Sequence, residues 1–150
     1  MHDIRLMDVA TVPEAQEVLW QLLRERPAEA SISHRHMPTR EEHARFVSSH
    51  PYRCWYLIQG SAPRKFVGAC YLTRHNEVGI AILQAYQRRG FARAAVLELL
   101  RTHDPLPAVA GERRGWFVAN VAPGNAASIQ FFESLGAALI QHTYEMRPRQ

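Results

Sequence analysis

Cysteine is scarce in this chain, and its placement excludes a disulfide framework. The only two, Cys54 and Cys70, sit inside strand-like runs. They read as small core residues in a reducing, cytoplasmic compartment. Neither has the helix-start or histidine-rich setting that activates a thiol, so neither is expected to be catalytic. Long apolar runs are also missing, and nothing approaches the ~20 residues that span a bilayer. The opening Met1-His2-Asp3-Ile4-Arg5 lacks the charged-then-apolar layout of a signal peptide. Aromatic residues are not interleaved with Arg and Lys as a nucleic-acid stacking platform would need. His34 and His36 share metal-ligand spacing, but no third ligand is placed beside them, which argues against a zinc site.

What is present suits one domain across residues 1–150. Apolar residues make up 47% of the chain, enough for a buried core. The net charge of +4 decides little alone. Three arginines cluster in one short segment, however: Arg88, Arg89 and Arg93. That grouping suits a small polyanionic cofactor.

Periodicity orders the elements. Residues 4–9 alternate as a strand. Pro13 opens a helix reaching about residue 26, with Val18, Leu19, Leu22 and Leu23 toward the core. An irregular loop over 27–38 precedes a capping box, Thr39-Arg40-Glu41-Glu42, and a helix to about residue 48. Residues 54–59, 65–73 and 77–83 read as a three-strand meander with turns at 60–63 and 74–76. A break at 84–89 leads into a helix over 90–103, whose expected apolar face is Ala94, Val96, Leu97 and Leu100. A strand over 116–121 and a helix from about 125 to Leu135 follow, with Gly136 as its stop. Residues 138–142 form a last strand that 144–146 extend. A mixed sheet with helices on its faces satisfies this order.

The chemistry concentrates between the third meander strand and its helix, at Gln87-Arg88-Arg89-Gly90-Phe91-Ala92. A turn here aims consecutive backbone N–H groups outward, and the helix adds its positive dipole end. Gly90 permits the bend, small Ala92 leaves room, and the arginines supply charge. A plain turn glycine among solvated arginines fits the same residues. The segment has one glycine and no following Gly-Lys-Ser/Thr, so it is neither a Rossmann nor a P-loop fingerprint.

This stretch resembles the CoA-pyrophosphate motif of the GNAT acetyltransferases, Gln/Arg-x-x-Gly-x-Gly/Ala, with Gln87, Gly90 and Ala92 at its fixed positions. A second segment, from Asn125 through Ser128, Phe131, Phe132 and Leu135 to Gly136, resembles the family's Asn-x-x-Ser…Phe-Tyr-x-x-Leu-Gly-Phe helix. The two stand in the expected order. The resemblance covers roughly residues 64 to 140, and the first sixty residues match in layout only. It implies an α/β (α+β) GNAT fold: a mixed, mostly antiparallel twisted sheet of about six strands flanked by four helices.

The resemblance further implies acetyl-CoA as cofactor. Backbone groups of Ile82 and Leu83 would hold its pantetheine arm and polarise the acetyl carbonyl. The amides from Arg88 through Arg89, Gly90, Phe91 and Ala92 to Arg93 would hold the pyrophosphate. Asn125 and Ser128 would lie along the arm. Asn120, at the end of its strand, would bind the arm, the acceptor or a water, or else cap its own strand. An alkylammonium has a pKa near ~10, so attack on a thioester requires a base. Glu77 is the residue the family pattern offers, against the reading of a strand-end surface charge. Phe132 stands where the family often has a tyrosine that protonates the departing thiolate, and phenylalanine cannot donate a proton.

The implied reaction is N-acetyl transfer to a primary amine, a small molecule or amino sugar, by direct attack in a ternary complex. Two other readings stay open: a catalytically weak acyl-CoA-binding sensor, motivated by Phe132, and a protein N-terminal or lysine acetyltransferase. The loop with His34 and His36, and the aromatics Trp55, Tyr56 and Tyr71, border the implied acceptor side. The sequence leaves a homodimer open.

Overall fold

A computed structural model describes residues 3–26, 37–61 and 64–149. The strands β1 Ile4–Asp8, β2 Cys54–Gly60, β3 Phe66–Leu72 and β4 Val78–Ile82 pair antiparallel in chain order. The register sorts side chains onto two faces, because successive residues of a strand point oppositely. Met7, Leu57, Ala69 and Ala81 form one row. Tyr56, Cys70 and Ile80 form a row on the other face.

Each face is covered by helix. Helices α1 Ala15–Glu25 and α2 Arg40–Ser48 pack Ala15, Leu19 and Val47 onto Leu57 and Ala69. Helix α3 Phe91–Thr102 packs the opposite face, setting Phe91, Ala95, Val96 and Leu99 on Ile58, Cys70, Leu72 and Val78. A fourth helix, α4 Ala126–Ser134, contributes Phe131 to the margin of this second cluster. The expected capping of α2 is present, since the Thr39 hydroxyl accepts from the Glu42 amide at 3.1 Å.

Three expectations need correction. The buried stripe of α3 is Phe91, Ala95, Val96 and Leu99, while Leu97 and Leu100 are exposed. The helix starts at Phe91, and its four-residue row through 95 and 99 seats on the sheet; Leu97 and Leu100 lie around the barrel of the helix from it. Pro13 lies in a turn, and α1 begins two residues later.

The sheet has four strands where the sequence suggests about six. Residues 116–121 form no strand and meet the start of β4 through a single parallel bridge, Glu77 with Val118. Beyond it the chain turns into the loop before α4, where the Asn125 amide donates to the Ala122 carbonyl. Residues 138–146 form no ladder, and Leu139, Ile140, Tyr144 and Met146 are exposed. A strand assignment needs a partner for its backbone groups, and the alternating sequence alone does not supply one. Among the described residues, no helix is long and apolar enough to cross a membrane.

Candidate active site

The loop leaving β4 turns sharply into α3. Arg88 and Gly90 both occupy the left-handed region, at φ 62° and 86°. Glycine adopts that conformation without the Cβ penalty, so the chain can turn into α3 directly behind it. The Gly90 carbonyl takes the first helical bond, from Ala94 at 3.1 Å. The amides of Ala92 and Arg93 therefore have no acceptor within the helix, which leaves donors at its positive end. Arg88, Arg89 and Arg93 are exposed around them. The Arg89 guanidinium rests over the Tyr86 ring, 5.8 Å from its centroid. Gln87 serves the loop itself, donating its side-chain amide to the Ile82 carbonyl at 3.0 Å.

The edge of β4 carries the second feature. Antiparallel pairing alternates which residues bond the neighbour. The Glu77 carbonyl accepts from Thr73, and the Leu83 amide donates to Val67 at 2.9 Å, so odd-numbered residues face β3. Even-numbered residues face away, as the Val78 amide shows by donating to the Val118 carbonyl at 2.8 Å. Ile80 and Ile82 thus turn backbone groups away from β3, and on that side the Ile82 carbonyl accepts from Gln87. Among the described residues, the backbone groups of Ile80 on that side meet no backbone partner. Leu83 is buried and its amide is committed to Val67, so it does not present the N–H that the sequence suggests. Ile80 turns its backbone groups to the side away from β3 instead. Periodicity could not reveal this, because it does not say which parity faces β3.

At the far end of β4 the structure joins the two polar residues singled out in the sequence. Asn120 donates its side-chain amide to one oxygen of Glu77. The Thr73 hydroxyl donates to the other at 3.0 Å. Glu77 is half-buried and opposes Val118 across the bridge. Five residue-to-residue steps separate it from Ile82, about 17 Å at 3.4 Å per step.

Beside this end lies an aromatic group on the α1–α2 face. Tyr52 stacks on Tyr71 at 3.8 Å and 3° between planes, with Trp55 edge-on to Tyr52 at 4.8 Å. Gly79 makes room for it: a Cβ there would fall 2.0 Å from the Tyr71 ring. Burial, reinforced by Tyr71, pushes the Tyr52 hydroxyl's pKa up, which keeps its proton on. Tyr56 is on the other face and bonds the His103 ring at 3.0 Å, so it stands apart from this group.

The remaining sequence-derived residues are placed as follows. Asn125 caps α4, its side-chain oxygen accepting from the Ser128 amide at 3.2 Å. Phe132 is half-buried and edge-on to Phe131 at 5.0 Å. His34 and His36 lie outside the described residues. Both cysteine thiols are raised by burial, Cys70 to about 12, and so are protonated at neutral pH. Among the described residues no cluster of side chains is arranged to hold a metal ion.

The sequence pattern of the acetyltransferase (GNAT) domain matches residues 5–138. The chain belongs to the GNAT acetyltransferase family. The match reaches back over the first helices, where sequence resemblance was confined to layout.

Solved GNAT structures share the architecture. An acetyltransferase from Thermus thermophilus is 20% identical, with 91% of this chain and 88% of that one covered at a TM-score of 0.64. The aminoglycoside N-acetyltransferase AAC(6')-Iy, solved with CoA, is 18% identical over 100% of this chain and 96% of its own, with a TM-score of 0.62. A spermidine N-acetyltransferase chimera of Vibrio cholerae SpeG and hSSAT is 14% identical over 89% and 78%, with a TM-score of 0.60. At such identities the likeness establishes the GNAT fold. No curated protein matches the chain in sequence.

Proposed function

We propose that residues 1–150 act as one N-acetyltransferase domain that moves an acetyl group from acetyl-CoA to a primary amine, a small molecule or amino sugar, in a ternary complex. One relationship carries the reading: a single strand links the anion-binding loop at its end to the Glu77–Asn120 pair at its start. The similar AAC(6')-Iy and spermidine acetyltransferase structures are named for amine acceptors, one of them solved with CoA, which supports the acceptor class.

The residues present fit CoA. Left-handed Gly90, the amides of Ala92 and Arg93, and three arginines suit a pyrophosphate. The outward backbone groups of Ile80 and the Ile82 amide suit an amide-bearing arm. Bound there, acetyl-CoA supplies an activated thioester. Glu77 then accepts the proton that the acceptor ammonium must lose, directly or through a water, while Asn120 and Thr73 fix the direction of its lone pairs. The Tyr52–Tyr71 stack flanks the acceptor side.

Phe132 supports a second reading, a module that binds acyl-CoA without turnover, because no proton donor stands at that position of α4. Calorimetric titration with acetyl-CoA, followed by thiol release against amines, amino sugars, amino acids and peptides, separates the two. Binding with turnover on small amines is the expected result. Binding without turnover favours the sensor, turnover on peptides alone favours a protein substrate, and no binding rejects the assignment.

A further inference from the structure

The Glu77–Asn120 pair has little sheet to hold it. Residues 116–121 touch β4 through one bridge, and Asn120 lies two residues past it. The tie comes from the β3–β4 turn, at Asn76. This residue is fully buried at 0% exposure and sits at φ 62°, a conformation asparagine tolerates better than other side-chain-bearing residues. Its side-chain amide donates to the Leu106 carbonyl at 2.9 Å and to the Arg114 carbonyl at 2.8 Å. Its side-chain oxygen accepts from the Leu106 amide at 2.8 Å. Its main-chain carbonyl accepts from the Val118 amide at 2.9 Å, while Val78 donates back to Val118.

One side chain therefore gathers both ends of the 106–114 loop, and the same residue's backbone starts the bridge opposite Glu77. Arg113 closes the clasp from the other side, donating to the Arg74 carbonyl at 2.9 Å. We infer that Asn76 is a positioning residue, whose buried amide sets the placement of Asn120 against Glu77 by anchoring the 106–118 segment to the β3–β4 turn.

The inference rests on the reading of Glu77 as the base only for its effect on rate; the anchoring itself is independent of it. Asn76→Asp keeps the acceptor for Leu106 and tolerates the positive φ, but it loses both donors and sets a charge against two carbonyls. Asn76→Gly keeps the backbone conformation and removes all three side-chain bonds.

The experiment compares both variants, each alone and combined with Glu77→Gln. It measures thiol release on an accepted amine, acetyl-CoA affinity by calorimetry, and hydrogen exchange of the Val118 amide. The expected result in a folded variant is faster exchange at Val118 and a kcat lower by up to about tenfold, no more than the loss expected on removing the Asn120 side chain itself. Acetyl-CoA affinity should stay within about twofold, and no further loss should appear in the Glu77→Gln background, because misplacing a base already removed costs nothing more. Unchanged exchange at Val118, a loss that adds fully to that of Glu77→Gln, a parallel loss of acetyl-CoA affinity, or failure of both variants to fold would each overturn it. Normal turnover in Glu77→Gln alone would remove the base assignment, and Val118 exchange would then decide the anchoring by itself.

Discussion

Asn120 donates its side-chain amide to the Glu77 carboxylate across 43 residues of sequence. The bond commits one Glu77 oxygen, and Thr73 commits the other. In the proposed function, a base held this way is oriented before the acceptor arrives. We expect Glu77→Gln to lower kcat by about 10²-fold or more, the usual contribution of a general base, with acetyl-CoA affinity nearly unchanged. Asn120→Ala should cost less, roughly tenfold, since the carboxylate stays but loses its guide. Steady-state kinetics on one amine, with calorimetry for the cofactor, checks both. A full rate in Glu77→Gln would remove it from the chemistry.

In the proposed function Gly90 carries the opposite burden, binding without chemistry. At φ 86° a side chain costs about 1–2 kcal/mol, and an aspartate adds negative charge facing the expected pyrophosphate. Gly90→Asp should weaken acetyl-CoA binding by a hundredfold or more. Gly90→Ala should weaken it by about tenfold, from strain alone. Titration of both variants, with circular dichroism to confirm folding, makes the test. Equal affinity in all three proteins would end the loop assignment.

Phe132 sits on α4 edge-on to Phe131 and offers no proton. A thiol leaves with a pKa near ~8.5, so turnover without a general acid is feasible but handicapped. Phe132→Tyr adds only a hydroxyl to a half-buried ring. Where thiolate departure limits the rate, kcat should rise by about tenfold at neutral pH, with little change in affinity. An unchanged kcat would locate the slow step elsewhere.

The core thiol predicts an alkaline weakness. Burial raises Cys70 to about 12 from an ordinary value of 9.0, so the folded state holds the proton more tightly than the unfolded one. Its contribution is complete below about pH 9 and is lost as pH climbs toward 12. Between roughly pH 7 and 10.5 that amounts to about 2 kcal/mol. Cys70→Ala should be less stable at pH 7, from the space it leaves, yet lose less over this range. Urea midpoints for the two proteins across the range decide it. Parallel curves would show that Cys70 does not drive the loss.

Much of the fold could be read directly from residues. Strand-like runs between turns located the meander strands, and 3.6-residue spacing together with Thr39 and Gly90 located the helix starts of α2 and α3. The form of the loop before α3 was equally legible, since it depends on local backbone conformation, which Gly90 and its neighbours largely dictate. Less legible were the segments whose state depends on a distant partner. Residues 116–121 and 138–146 carry strand-like patterns, but pairing is a property of two segments, and one pattern cannot state whether the other arrives. The face of α3 shifted for a related reason: Leu97 and Leu100 are as apolar as Leu99, and docking on the sheet chose among them.

The sequence by itself determined the family, the strand–loop–helix that suits a pyrophosphate, and the residue types available for acid–base work, because each depends on composition and short-range spacing. Tertiary structure alone decided that Ile80 rather than Leu83 turns to the open edge, that Asn120 meets Glu77, and that Asn76 ties the distant loop beneath them. Those relations follow from strand register and from hydrogen bonds spanning 30 to 43 residues, and chain closure over such distances is settled only when the whole core packs.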